Sequence, residues 1–308
     1  MDVVLHCGAH RTNSSGLQGY VSRHGDALLR QHIDTCTLKG PLARGVPGEK
    51  AHKAQMLQRD AIAHKVQQAE KRGVHRLFLS DVNILGCLSD VVHKGLLYPD
   101  AGARLSHFAE LFEGRLSEVV LSTRSPETYW ISALSAAVAH GAAVPDRAAL
   151  RAIAFNRRAW RDVITDMAKA LPDVRLRVIP FEHYSGRPEQ ILVRSLGCDL
   201  PFEPIQPRQN RAPQLPELRR LLAERGGSAS DLPFGMGPWN PFCAEELAAM
   251  RELYADDLMW LVGGADGLAT MTEEPSGKRA VCRPPAGYQV KGQCNGKEER
   301  HMARPGRG

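Results

Sequence analysis

The sequence predicts an α/β fold built on a mostly parallel central sheet, and three observations carry that prediction. Four short apolar runs begin near residues 3, 76, 118 and 174. Segments of helical period separate them and are long enough to serve as crossover connections. Each run ends on a polar stretch: HCGAHRTNSSG, SDVNILG, TRSPETYWIS and PFEHYSG. Parallel sheets bind ligands just outside the carboxyl ends of their strands, so these four stretches are where chemistry is expected.

In chain order, Val3 to Leu5 form the first strand, and residues 14–25 read as a helix that Ser14 or Ser15 can cap. Residues 35–50 contain Pro41, Gly45, Pro47 and Gly48 and read as loop. Residues 49–72 repeat Ala54, Leu57, Ala61, Ile62, Val66 and Ala69 at helical spacing, with Gly73 at the terminal cap position. HRLFLSD is the second strand, residues 103–112 a helix, SEVVLSTRS the third strand and residues 129–140 a helix. Residues 147–171 read as one long amphipathic helix through Leu150, Ile153, Trp160, Ile164 and Met167. VRLRVIPFE is the fourth strand, followed by a helix over 189–196, a turn-rich stretch over 201–216 and a last helix over 245–261. This organisation predicts one α/β domain over residues 1–268. The remainder, 269–308, is rich in Gly, Pro, Lys and Arg without apolar period and is expected to be flexible or loosely docked.

Composition narrows the function. The chain has 308 residues, enough for a substantial core, and 43% of them are hydrophobic. Its formal net charge of +6 is a mild excess that fits an anionic ligand. With 6% aromatic residues and no basic–aromatic repeat, a nucleic-acid partner is not expected. The 7 cysteines form no CxxC pair, so spacing gives no metal site. No apolar run approaches the roughly 18 residues of a membrane span, and the start lacks a secretory pattern. A cytoplasmic protein without a transmembrane segment is the expectation.

The first polar stretch carries the sharpest signal. From Gly8 it reads GAHRTNSS, which fails the Walker pattern, because Asn13 stands at the second glycine and Ser14 at the lysine. Its parts still suit an anion: a helix N-terminus, the hydroxyls of Thr12, Ser14 and Ser15, and the fixed positive fork of Arg11. A polar turn that merely caps the helix fits the same residues. In the third stretch Arg124 stands at a strand end, where taken alone it reads as a solvated cation, and Ser132 taken alone reads as a helix-surface residue.

GAHRTNSSGLQ resembles the 5′-phosphosulfate loop of bacterial sulfotransferase-family proteins, usually G-x-x-K-T-G-T-T-x-L-Q, with Arg11 at the lysine, Asn13 at the glycine, and Ser14 and Ser15 at the threonines. EVVLSTRSPETYWISAL resembles the family's 3′-phosphate motif, with Arg124 and Ser132 in place. The resemblance spans residues 3–262 and implies a P-loop-like three-layer sandwich that binds 3′-phosphoadenosine 5′-phosphosulfate as donor, with no metal expected. It implies donor contacts from Gly8, Arg11, Thr12, Asn13, Ser14, Ser15, Arg124 and Ser132, and transfer of a sulfuryl group to an unidentified hydroxyl or amine on a small molecule, glycan or protein. RLFLSDVNILG resembles the family segment that carries a proposed catalytic glutamate, but Val82 stands there. Asp81 and His10 are the alternative bases, and each also reads as an ordinary loop residue. Arg11 is expected to stabilise the leaving group. Trp130 and Tyr129 fit either a nucleotide pocket or the core, and Arg208 or Arg211 fits closure over the nucleotide or a solvated charge run. Two other function classes stay open: a P-loop-like nucleotide-dependent kinase, and a non-catalytic nucleotide-binding or protein-interaction protein.

Overall fold

The structure, a computed structural model, describes residues 1–37, 49–203 and 211–272. The expectation for the tail beyond residue 272, and the one for Arg208, lie outside the described residues.

Six strands form one sheet: β1 (Asp2–His6), β2 (Ile33–Thr37), β3 (Arg76–Ser80), β4 (Leu116–Thr123), β5 (Arg175–Pro180) and β6 (Thr270–Met271). Their spatial order is β2-β3-β1-β4-β5-β6, and every pairing is parallel. The strands are near-continuous apolar runs because both faces are covered. Alternation along each strand sorts the side chains into two cores. Val3, Leu5, Leu77, Leu79, Val119 and Leu121 face one side. Val4, Phe78, Val120 and Ile179 face the other, where Leu17 and Tyr20 of α1 (Ser14–Arg23), Leu28 of α2 (Gly25–Leu29) and Leu192 of α10 (Pro188–Leu196) meet them.

The first face receives α3 (Glu49–Lys71), through Ile62, Val66 and Ala69, together with α4 (Leu88–Lys94), α5 (Ala101–Glu110), α6 (Pro126–Ala139), α7 (Arg147–Ala154) and α8 (Trp160–Ala170). Two late helices, α11 (Leu215–Glu224) and α12 (Ala244–Val262), cover the same core, and the short α9 (Phe181–Tyr184) follows β5.

Four departures from the sequence reading have physical causes. Residues 35–37, expected as loop, end the strand Ile33–Thr37; at the edge of the sheet, with β3 as its one partner among the described residues, it tolerates Asp34 and Thr35, which hide its period. The sheet continues past residue 268, because Thr270 and Met271 pair with Arg177 and Val178. The single helix expected over 147–171 is two. Asn156 Oδ1 accepts from the Arg158 amide at 2.8 Å and turns the chain, and Asp257 then accepts from the Trp160 and Arg161 amides at 2.9 and 3.1 Å to start α8. Helix α11 begins at Leu215 inside the stretch that reads as turns, with Pro216 in its first turn, where proline's missing amide costs nothing.

The chain leaves β1 toward β2 on one side and leaves β4 toward β5 on the other. The crevice outside the ends of β1 and β4 is therefore the topological switch point of the sheet. It lies between the stretches that begin at Cys7 and Arg124.

Candidate functional site

The loop after β1 is shaped from below. His6 ends β1, and its ring nitrogens bond Ser80 Oγ on β3 at 2.8 Å and Ser122 Oγ on β4 at 3.1 Å. Burial lowers its pKa to about 4, so the ring is a neutral spacer tying three strand ends together. Gly8 passes directly over it. A Cβ there would stand 2.7 Å from His6 Cε1 and 2.8 Å from Ser14 Oγ, so any larger residue here forces those side chains to move. Arg11 (φ 68°) and Asn13 (φ 63°) are both left-handed, and the φ of Thr12 between them is not positive. Asparagine visits this region at low cost, which explains Asn13 at a position where the resemblance has glycine. Thr12 Oγ1 donates to Ala9 O at 2.6 Å and closes the turn.

The loop delivers the chain into α1 at Ser14. The first amides of a helix have no intrahelical acceptor and point at whatever lies before it. Ser14 is 7% exposed, and its Oγ is buried without a hydrogen-bond partner. A buried hydroxyl of this kind at a helix N-terminus can donate to an anion held there.

Across the crevice, Arg124 follows β4. Its Nη1 donates to Arg11 O at 2.7 Å and its Nε to Thr128 Oγ1 at 3.0 Å, and the guanidinium lies 5.0 Å over the Phe181 ring. Trp160 Nε1 holds the Arg124 carbonyl at 2.8 Å. Arg11 Nε in turn donates to Ser132 Oγ at 2.9 Å. The two stretches that the sequence singled out are thus bonded to each other and share a cavity of about 480 Å³. Its walls include Arg11, Ser14, Ser15, Arg124, Ser132 and Arg211.

His10 also lines this cavity, and hydrogen-bond accounting fixes its form. Tyr98 OH accepts from the His10 backbone amide at 2.8 Å and from Tyr129 OH at 3.3 Å. With both lone pairs used, Tyr98 donates its own proton to His10 Nδ1 at 2.8 Å. Nε2 then carries the ring proton and donates to Asn83 Oδ1 at 3.2 Å. Asn83 donates through its amide and its side chain to Asp81 Oδ1 at 2.7 and 3.1 Å. Burial lowers the His10 pKa to about 4, and burial raises that of Asp81.

Family profiles, curated proteins and solved structures give no match to this chain.

The structure brings together most of the residues singled out by sequence. Arg11, Asn13, Ser14, Ser15, Arg124, Ser132 and His10 all line the cavity, as does Val82. Gly8 and Thr12 do not: one lies beneath the loop and the other is turned inward to Ala9. Asp81 is likewise not in the wall, because it turns back to cap its own loop through Asn83. Tyr129 and Trp130 are core residues, 0% and 3% exposed. Among the arginines of 147–161, Arg147 pairs with Glu246, Arg158 with Asp166 and Arg161 with Asp266, so these do work in the fold. Sequence reasoning does not single out Tyr98, Thr128 or Phe181, which the site also uses. No short-range pattern marks Tyr98, since its partners His10 and Tyr129 are distant in the chain. Among the described residues no group of three or more His, Cys, Asp or Glu is placed to hold a metal ion, and no helix is long and apolar enough to cross a membrane.

Proposed function

We propose that the chain is a P-loop-like transferase that binds 3′-phosphoadenosine 5′-phosphosulfate and passes its sulfuryl group to an acceptor hydroxyl or amine. The observation that carries this reading is the pair of bonds from Arg124 Nη1 to Arg11 O and from Arg11 Nε to Ser132 Oγ, which joins two anion-suited ends in one cavity. Such a cavity suits a ligand with a phosphate at each end, and 480 Å³ lies within the range of nucleotide-sized sites.

In this reading the α1 N-terminus, Ser14, Ser15 and Arg11 hold the 5′-phosphosulfate, and Arg124 with Ser132 holds the 3′-phosphate. The acceptor oxygen attacks sulfur in line. The new O–S bond forms as the bond from sulfur to the bridging 5′-phosphate oxygen breaks, and adenosine 3′,5′-bisphosphate leaves. Negative charge grows on that phosphate oxygen, where the Arg11 cation and the helix amides count most. Neither His10, whose ring nitrogens are both engaged, nor Asp81, outside the wall, serves as base in this scheme. The acceptor proton leaves late, to water in the open cavity, once O–S bonding has made it acidic.

One observation favours a second reading, nucleotide binding without turnover: among the described residues Val82 and no carboxylate lines the cavity. Arg11→Ala separates the two. In an enzyme it lowers turnover by roughly 10²–10³ while weakening binding of the spent nucleotide much less, because the developing charge exists only in the transition state. Transfer of labelled sulfate from donor to a panel of alcohols, phenols and amines measures this. Nucleotide binding with no transfer to any of them would establish the second reading.

A further inference from the structure

A second, larger cavity of about 1050 Å³ lies beside the first. The two share Leu88 as a wall. They are also joined by a hydrogen bond, since Asn83 lines the second and its Oδ1 accepts from Nε2 of His10, which lines the first. Helix α6 runs past both: Ile131, Ser132 and Ser135 face the first, and Leu134, Ala137 and Val138 face the second.

The chemistry of the second wall is selective. It is mostly aliphatic, and on α7 it is made by Ala149, Ala152 and Ile153, of which the two alanines leave space open. Among the described residues no carboxylate and no Phe, Tyr or Trp lines it, while His93, Lys94 and His140 do. An ammonium ion would meet the Lys94 ammonium, already held by Asp100 at 2.7 Å, and no carboxylate in the wall to pair with, which disfavours amines. A sugar would find no aromatic platform and only a few side-chain amides and hydroxyls for its many polar groups. A long apolar body with one hydroxyl fits both absences. A length follows from the helix and its cap: Leu134 and His140, both in this wall, stand six residues apart, or about 9 Å along the axis at 1.5 Å per residue. That seats roughly seven carbons of an extended chain along this wall, and the 1050 Å³ leaves room for a few more.

We propose that this cavity seats the acceptor, and that the acceptor is an uncharged aliphatic or alicyclic alcohol whose hydroxyl lies at the Asn83–Leu88 end. The assignment rests on the sulfuryl-transfer reading for its role as acceptor, but not for the binding itself. In the transfer, the alcohol oxygen bonds to sulfur, the bridging phosphate oxygen takes the electrons of the broken S–O bond, and the alcohol proton leaves to water.

The test uses the full chain and 1-decanol, with decylamine and glucose as controls, in titration calorimetry. Ala149→Trp and Ala152→Trp each fill the cavity from an exposed helix position, so the fold tolerates them. Both variants are expected to bind 1-decanol at least tenfold more weakly, while their affinity for adenosine 3′,5′-bisphosphate stays within twofold. Decylamine is expected to bind wild type at least tenfold more weakly than 1-decanol, with glucose weaker still. Shortening the alcohol by two carbons should weaken binding roughly tenfold. With labelled donor, wild type should form decyl sulfate, and both variants should form it at least tenfold more slowly at low alcohol concentration. Unchanged 1-decanol affinity in the two variants, or equal affinity for decylamine, would overturn the assignment. So would saturation with 1-decanol and nucleotide that yields no decyl sulfate. If the bisphosphate fails to bind wild type while the variants still abolish 1-decanol binding, the donor reading falls and the acceptor role with it, leaving an apolar-ligand site.

Discussion

Tyr98→Phe removes one oxygen and leaves the packing of the ring against Trp160 in place, so its consequences are confined to hydrogen bonds. Tyr98 OH satisfies the His10 backbone amide and His10 Nδ1, both at 2.8 Å, and Tyr129 OH at 3.3 Å. All of these groups are buried. Leaving a buried amide without an acceptor costs about 1–3 kcal/mol, and each of the two remaining bonds contributes about 1 kcal/mol, for a total of about 3–5 kcal/mol. The positive φ of Tyr98, 37°, is the same for phenylalanine and cancels. At about 2–4 °C per kcal/mol the unfolding midpoint should fall by about 6–20 °C in calorimetry. The loop from Gly8 to Asn13 also loses its anchor, so nucleotide affinity should fall with it. A midpoint within about 1 °C of wild type would refute the accounting, including the assignment of the ring proton to Nε2 of His10.

Acid should destabilise the fold through the two buried histidines. The pKa values of His6 and His10 are lowered from 6.5 to about 4, so between those values the unfolded chain binds protons that the folded chain does not, and stability falls as pH falls. Each contributes a loss of about 3 kcal/mol. Asp257, raised to about 6 by burial, works in the opposite direction by about 3 kcal/mol, so these three groups leave a net loss of about 3 kcal/mol from pH 7 to pH 4 in urea unfolding. A flat profile would contradict the burial of both rings. Gly8→Ala should cost about 1–3 kcal/mol and lower the midpoint by several degrees, because its Cβ meets His6 and Ser14 at 2.7 and 2.8 Å; an unchanged midpoint would mean that the loop has room to shift.

The strands at residues 2, 76, 116 and 175 were readable because a parallel sheet covered on both faces writes itself as uninterrupted apolar runs. β2 was hidden by the polar residues an edge strand allows, and β6 by having two residues. The restart of the chain as a separate α8 was invisible because Asp257, which accepts from the Trp160 and Arg161 amides, lies far along the chain on another helix. In the site, the residues next to strand ends were legible: Arg11, Ser14 and Arg124 follow from where parallel sheets place their loops, whereas Ser132, on the next helix, was singled out by the resemblance. What those side chains do to one another was not. Thr12 and Asp81 are polar loop residues in sequence, and only the folded chain turns the first to Ala9 and the second to Asn83, away from the cavity. Nor does periodicity record the space left by Ala149 and Ala152 beside Leu88.

The claim on which the rest depends is that the cavity between β1 and β4 holds a nucleotide by a phosphate at each end. Calorimetric titration of the full chain with adenosine 3′,5′-bisphosphate and with adenosine 5′-monophosphate, at one salt concentration, tests it most directly. Losing the 3′-phosphate removes the partner of Arg124 and Ser132, a charge-assisted contribution of about 1.5–3 kcal/mol. The bisphosphate should therefore bind at least tenfold more tightly, and Arg124→Ala should erase the difference. Equal affinities in the wild type would contradict the 3′-phosphate clamp and the transferase reading built on it.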